Sequence, residues 1–115
     1  MKKGEVTLNT TQDYATAFGV ETEIAQILRY YQGLFGPQLY YENGVFYEGL
    51  VGVRMYMSTQ EAINKAIKGL SNYVATLEKV LSCDKGNPVI ENFILINNDL
   101  ISTLSEKSSQ LTKVG

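Results

Sequence analysis

The residue types that most side-chain catalysis needs are scarce in this sequence. There is no histidine, which removes Ser–His and Cys–His nucleophile pairs and histidine metal sites and leaves proton transfer to carboxylates, lysine and tyrosine. Glu42 and Glu48 flank a hairpin pattern and could serve as acid and base, but the pairing expected for that hairpin offsets them onto opposite faces. They read as solvated strand carboxylates. Ser82-Cys83-Asp84-Lys85 matches Ser-x-x-Lys, the spacing of a serine nucleophile and its lysine base. It sits beside Gly86 without a companion motif, and a helix terminus with its lysine on the negative end of the dipole accounts for the same residues. The glycines at 44, 49 and 52 have neither a Gly-Lys-Ser/Thr ending nor a Gly-x-Gly-x-x-Gly frame, so they read as turn and bulge residues. No Asp-rich calcium loop and no Cys or His cluster is present. The expectation is a protein that is not an enzyme, with no catalytic, cofactor-binding or metal-binding residues.

Binding is better represented. Tyr40, Tyr47 and Tyr56 gather on the segment that reads as β-structure, and Arg54 lies on the same expected strand as Tyr56. Together they would form a tyrosine-lined pocket for a small anionic ligand or nucleotide, with Arg54 as the anchor. Packing of the first helix on the sheet is the competing account of these tyrosines. The stretch from Tyr14 to Leu28, with Ala15, Gly19 and apolar positions beyond, resembles a helix-turn-helix motif, residues 20 to 31 being the recognition helix and the hairpin a wing. Glu21 and Glu23 would then meet the phosphates with Arg29 as the sole base, so a DNA-binding regulator ranks third.

Bulk properties narrow the class. At 115 residues the chain reads as one domain, 1–115, able to bury roughly two-thirds of its unfolded surface. A net charge of −2, with Arg29 and Arg54 the only arginines, disfavours nucleic acid as the main partner. Cys83 is alone and cannot form an internal disulfide, which points to a cytoplasmic setting. No apolar leader or membrane-length apolar run is evident, so a soluble, non-exported protein with no membrane association is expected and the sequon Asn9-Thr10-Thr11 reads as a chance match. Charged residues make up 19% of the chain and there are eight tyrosines, a balance that suits buried interfaces, because neutral polar groups and tyrosine cost less to desolvate than Lys or Glu. A short, weakly charged chain of this kind fits an accessory protein of a phage or mobile element.

The elements follow from periodicity. Residues 1–10 read as a loose arm or a short edge strand. Residues 11–35 read as a helix, capped by Thr11 or Asp13, with Gly19 as a dividing point and Gly33, Gly36 and Pro37 as stop signals. Residues 38–57 read as a three-stranded antiparallel β-meander. Its Asn43-Gly44 step is a strong hairpin signal that pairs Tyr41 with Phe46, Leu39 with Glu48 and Tyr40 with Tyr47. Val53 to Met57 form the third strand, with Arg54 and Tyr56 on one face. Ser58-Thr59-Gln60-Glu61 reads as a capping box.

Residues 58–113 read as an antiparallel helical hairpin, Ser58 to Ser82 and Pro88 to Lys113, joined through Asp84-Lys85-Gly86-Asn87. Asn97 interrupts the apolar stripe of the last helix, either to specify register or because it lies at the stripe's edge. The fold class is α+β: an N-terminal helix, the meander and the C-terminal hairpin. The favoured function is a non-catalytic protein-interaction or assembly module. Its partner is itself, as a homo-oligomer, or another protein, through Ile63, Leu70, Leu77, Ile94, Ile101 and Leu104.

Overall fold

The structure is a computed structural model that describes residues 6–35, 39–42, 45–48, 53–56 and 59–114, with the backbone alone at positions 6, 45, 48, 53–56 and 112–114. It is mostly helical with a small antiparallel sheet. In chain order the elements are β1 (Val6–Thr7), α1 (Thr11–Phe18), α2 (Thr22–Phe35), β2 (Leu39–Glu42), β3 (Val45–Glu48), β4 (Val53–Tyr56), α3 (Thr59–Cys83) and α4 (Pro88–Val114). The chain divides into two compact units, Met1–Ile63 and Asn64–Gly115, and α3 runs through the division.

The pattern over 11–35 predicts one helix; the structure has two. Gly19 is the reason. It sits at φ 66°, ψ 42°, in the left-handed region where a Cβ would meet the neighbouring backbone, and both its own N–H and that of Val20 return to the Ala15 carbonyl. The start of α1 also differs from expectation, since the cap is Thr10, not Thr11 or Asp13. Thr10 is extended, its hydroxyl accepts from the Asp13 N–H at 3.1 Å, and the Asp13 carboxylate accepts from the N–H groups of Asn9 and Thr10 at 3.0 Å each. Asp13 is therefore the third-position partner of a reciprocal capping box.

The core of the first unit follows the apolar spacing. Tyr14 and Phe18 of α1 and Ile24, Ala25, Ile27, Leu28 and Tyr31 of α2 are buried with Leu39 and Phe46 from the sheet. The rings of Phe18 and Phe46 lie 4.0 Å apart and nearly parallel. Thr59, at the start of α3, donates its hydroxyl to the Phe18 carbonyl at 2.6 Å, which satisfies an acceptor at the end of α1.

β2 and β3 pair antiparallel with Leu39 opposite Glu48, Tyr40 opposite Tyr47 and Tyr41 opposite Phe46, the register that a two-residue turn requires. The turn residues 43 and 44 lie outside the described residues. The sheet has one strand more than the meander that the pattern predicts. It has four strands in the order β1-β2-β3-β4, because Val6 and Thr7 pair with Tyr41 and Tyr40, and the Leu8 N–H continues the ladder to the Leu39 carbonyl at 2.9 Å. Positions 6 and 7 thus form the edge strand of the two forms expected for the N-terminal arm.

In the second unit α3 and α4 fold back on each other. Ser108, near the end of α4, donates to the side-chain oxygen of Asn64, near the start of α3, at 3.0 Å. The link is short because Gly86 takes φ 81° and Asn87 caps α4, its Oδ1 accepting from Val89 and Ile90 while Pro88 fills the first helical position. The capping box expected from Ser58 falls outside the described residues.

Replacing Gly19 by alanine is expected to destabilise the protein by about 1–2 kcal/mol through backbone strain. Gly33→Ala, inside α2 and with open space at its Cβ, is expected to raise stability by about 0.5–1 kcal/mol; thermal unfolding followed by circular dichroism reads both.

The Asp13 carboxyl is held below its ordinary value of 3.8, first by the Asn9 N–H and then by the Thr10 N–H. Its support for the start of α1 is complete above the unfolded value and is lost as pH falls through the lower folded one. An NMR titration should place Asp13 below the other exposed carboxylates, and the Thr10→Ala variant should weaken that depression.

Candidate functional site

The six apolar positions expected to form an interchain seam separate into two groups. Ile63, Leu70 and Leu104 are completely buried within the chain, with no surface to offer a partner, whereas Leu77, Ile94 and Ile101 are half-buried. The buried side chains of the second unit are Ala66, Leu70, Val74, Asn97 and Leu104. Between Val74 and Asn97 no described side chain is buried, and Leu77, Leu81, Ile90 and Ile94 remain partly open.

Beside them stand further apolar side chains, of which Val80 and Phe93 belong to the stripes that sequence periodicity predicts and Val89 and Ile96 do not. Val80 on α3 is 47% exposed; on α4, Val89 is 61%, Phe93 43% and Ile96 42% exposed. Val89, Phe93 and Ile96 recur at four and three, as neighbours on one helix face must, while Leu95, 65% exposed, lies off that face. Val89, Phe93 and Ile96 continue into half-buried Leu100. This stripe is offset by one residue from the inner stripe Ile90, Ile94, Asn97, Ile101 and Leu104. The doubled periodicity was available in the sequence, since two adjacent heptad-like stripes on one helix signal two neighbours.

Asn97 lies at the centre of the inner stripe and is completely buried, which sets aside a place at the stripe's edge. Its side-chain N–H donates to the Phe93 carbonyl at 2.8 Å, so part of its hydrogen-bonding capacity is met inside α4.

Of the tyrosine set, the structure describes the side chains of Tyr40 and Tyr47. Tyr40 and Tyr47 are a cross-strand pair with stacked rings 5.3 Å apart, and both are half-buried. A register shift between β3 and β4 places Tyr56 opposite Phe46 and Arg54 opposite Tyr47. The side chains of Arg54 and Tyr56 lie outside those described.

The first unit also contains an open cleft of about 660 Å³, whose lining includes Leu8, Asn9, Tyr14, Arg29, Tyr30 and Leu34. Arg29 donates its Nε–H to the Asn9 carbonyl at 3.0 Å. Burial pushes the Tyr14 phenol up from its ordinary value, and the positive charge of Arg29 acts in the opposite direction.

Among the described residues, no group of three or more His, Cys, Asp or Glu side chains is placed to hold a metal ion, and no helix is long and apolar enough to cross a membrane. Ser82 of the Ser-x-x-Lys match donates its hydroxyl to the Lys79 carbonyl at 2.6 Å, the bond of a helix-end serine. In comparison with family models, with curated proteins and with solved structures, the chain matches none of them.

Asn97→Ala removes a buried hydrogen-bonding group and opens a void, and a loss of about 1–3 kcal/mol is expected. Asn98→Ala, at the exposed neighbouring position, should stay within about 0.5 kcal/mol of the parent. Denaturant unfolding of the two variants side by side checks the contrast.

Proposed function

We propose that this chain is a non-catalytic interaction module that associates with a second copy of itself through its C-terminal helices. The exposed stripe Val89, Phe93 and Ile96 on α4, accompanied by Val80 on α3, carries the reading. A helix with one apolar stripe needs one neighbour; α4 has two adjacent stripes, and α3 occupies only the inner one. Burying the outer stripe against a second hairpin gives the two-layer arrangement that helix pairs adopt, at roughly 25 cal/mol per Å² of apolar surface removed from water.

A second copy suits the flanking charges. Glu78, Lys79, Asp84, Lys85 and Glu91 surround the apolar residues with both signs, so a two-fold contact can set carboxylates against ammonium groups without a net like-charge field. Leu77, Ile94 and Ile101 are half-buried and keep surface that a second copy would cover. Ile63, Leu70 and Leu104 act indirectly, by holding the chain's own packing. A cytoplasmic setting agrees with the free, exposed thiol of Cys83.

Light scattering coupled to size exclusion should give a native mass above that of the 12.8 kDa chain, falling with dilution. Phe93→Lys should bring it to the single-chain value with helicity unchanged. A parent protein that stays at 12.8 kDa across concentration, or a Phe93→Lys variant with the parent's oligomeric mass, would overturn the proposal.

A further inference from the structure

The cleft of the first unit has the composition of a binding site. Arg29 is exposed, and its Nε–H is engaged by the Asn9 carbonyl, a bond that fixes the plane of the guanidinium and leaves the terminal nitrogens directed elsewhere. Among the described residues no carboxylate pairs with it. Tyr14 is only 4% exposed, yet it lines the cleft, and no described residue shares a hydrogen bond with its hydroxyl. No buried side-chain polar atom among the described residues lacks a partner, so that hydroxyl is one that reaches the open side of the wall. The influence of the Arg29 charge on the phenol places the two groups within electrostatic range. A buried tyrosine normally finds a partner for its O–H; here the cleft is where one would come from.

We infer that this cleft binds a small organic carboxylate, its anionic group taken by the Arg29 guanidinium and the Tyr14 hydroxyl and its apolar body laid along Leu8, Tyr30 and Leu34. Charge and lining select this class. Among the described residues of the lining Arg29 is the one cationic side chain, which matches a single negative charge better than a doubly charged phosphate. A planar guanidinium fork suits a carboxylate. Two aromatic rings and two leucines provide apolar wall, with Asn9, Thr11, Gln26 and Gln32 as the neutral polar groups among the described lining residues. The volume, about 660 Å³, falls within the range of small-molecule sites. Thr11 and Tyr14 are on α1 and Arg29 and Tyr30 on α2, so the break at Gly19 is what allows the two helices to line one site.

This site is separate from the interface proposed on the C-terminal helices, so the two readings fail independently. An amide NMR titration of the full chain tests it, with benzoate as probe, benzyl alcohol as its uncharged counterpart and inorganic phosphate as a small dianion. Benzoate should give saturable shifts at Asn9, Thr11, Gln26, Arg29 and Tyr30. Benzyl alcohol and phosphate should each bind at least about tenfold more weakly. Arg29→Gln should weaken benzoate about tenfold or more, Arg29→Lys less, and Tyr14→Phe about threefold with the cleft shifts retained.

Absence of saturable shifts at about 10 mM benzoate would overturn the inference. So would equal binding of benzyl alcohol, tighter binding of phosphate, or unchanged benzoate affinity in both the Arg29→Lys and Tyr14→Phe variants, which keep the charge and the ring and so guard against loss of fold.

Discussion

Two antiparallel helices can hide only the stripe that each turns toward the other. For α3 and α4 this limit governs what the second unit can be. The link between them is held to Asp84-Lys85-Gly86-Asn87 by a left-handed glycine and an asparagine cap, so neither helix can swing away to find other cover. The inner stripe is satisfied at Leu70, Val74, Asn97 and Leu104. Toward the link the same packing leaves Leu77, Leu81, Ile90 and Ile94 partly open and Val80, Val89, Phe93 and Ile96 more so. Scattered exposed apolar residues are ordinary. A periodic row of them on one helix is not scattered, and it is the row that argues for a partner.

In the first unit the corresponding constraint is the break at Gly19. A continuous helix over 11–35 would hold Tyr14 and Tyr31 about 25 Å apart along one axis, so that α1 could not pack against α2. The left-handed turn returns the chain after Phe18, so that its ring can lie on Phe46 at 4.0 Å while α2 lays Ile24, Ile27, Leu28 and Tyr31 inward. Thr59 then bonds the Phe18 carbonyl, fastening the end of α1 to the start of α3 inside the same unit. The stack, the turn and this hydrogen bond support one another, and each is local to residues within a few positions of Phe18 in space.

How much of this was legible in the sequence depended on the range of the interaction. Local chemistry was readable: the Asn-Gly step gave the pairing of Tyr40 with Tyr47 and Tyr41 with Phe46, and Gly19 and Gly86 marked positions that take positive φ. The cap moved to Thr10 because a capping box is decided by which residue is extended and which carboxylate can reach back, and Asp13 serves Thr10 better than it could cap itself. The irregular step between β3 and β4 carries no local signature, since alternation looks the same in sequence until a partner strand is placed beside it. The candidate site was the least legible part. An apolar stripe announces that a face is covered, not by what, and Ile63, Leu70 and Leu104 carried the same signal as Leu77 and Ile94. Arg29 and Tyr14 were visible as individual residues, but the cleft that they share exists only once Gly19 has folded α1 against α2.

Asn97 joins these points. A completely buried amide in an apolar stripe is costly unless its hydrogen bonds are met, and one of them is met within α4 by the Phe93 carbonyl at 2.8 Å. A slip of α4 along α3 by one residue would rotate that amide out of its place and bring an apolar side chain in. It would also turn the row Val89, Phe93 and Ile96 inward. A polar group at one stripe position therefore discriminates between registers that apolar residues alone would leave nearly equal in energy. Phe93 takes part in both relationships, its carbonyl holding Asn97 on the inner side and its ring exposed on the outer. The register of the hairpin and the phase of the outer stripe on the helix are thus set by the same residue pair.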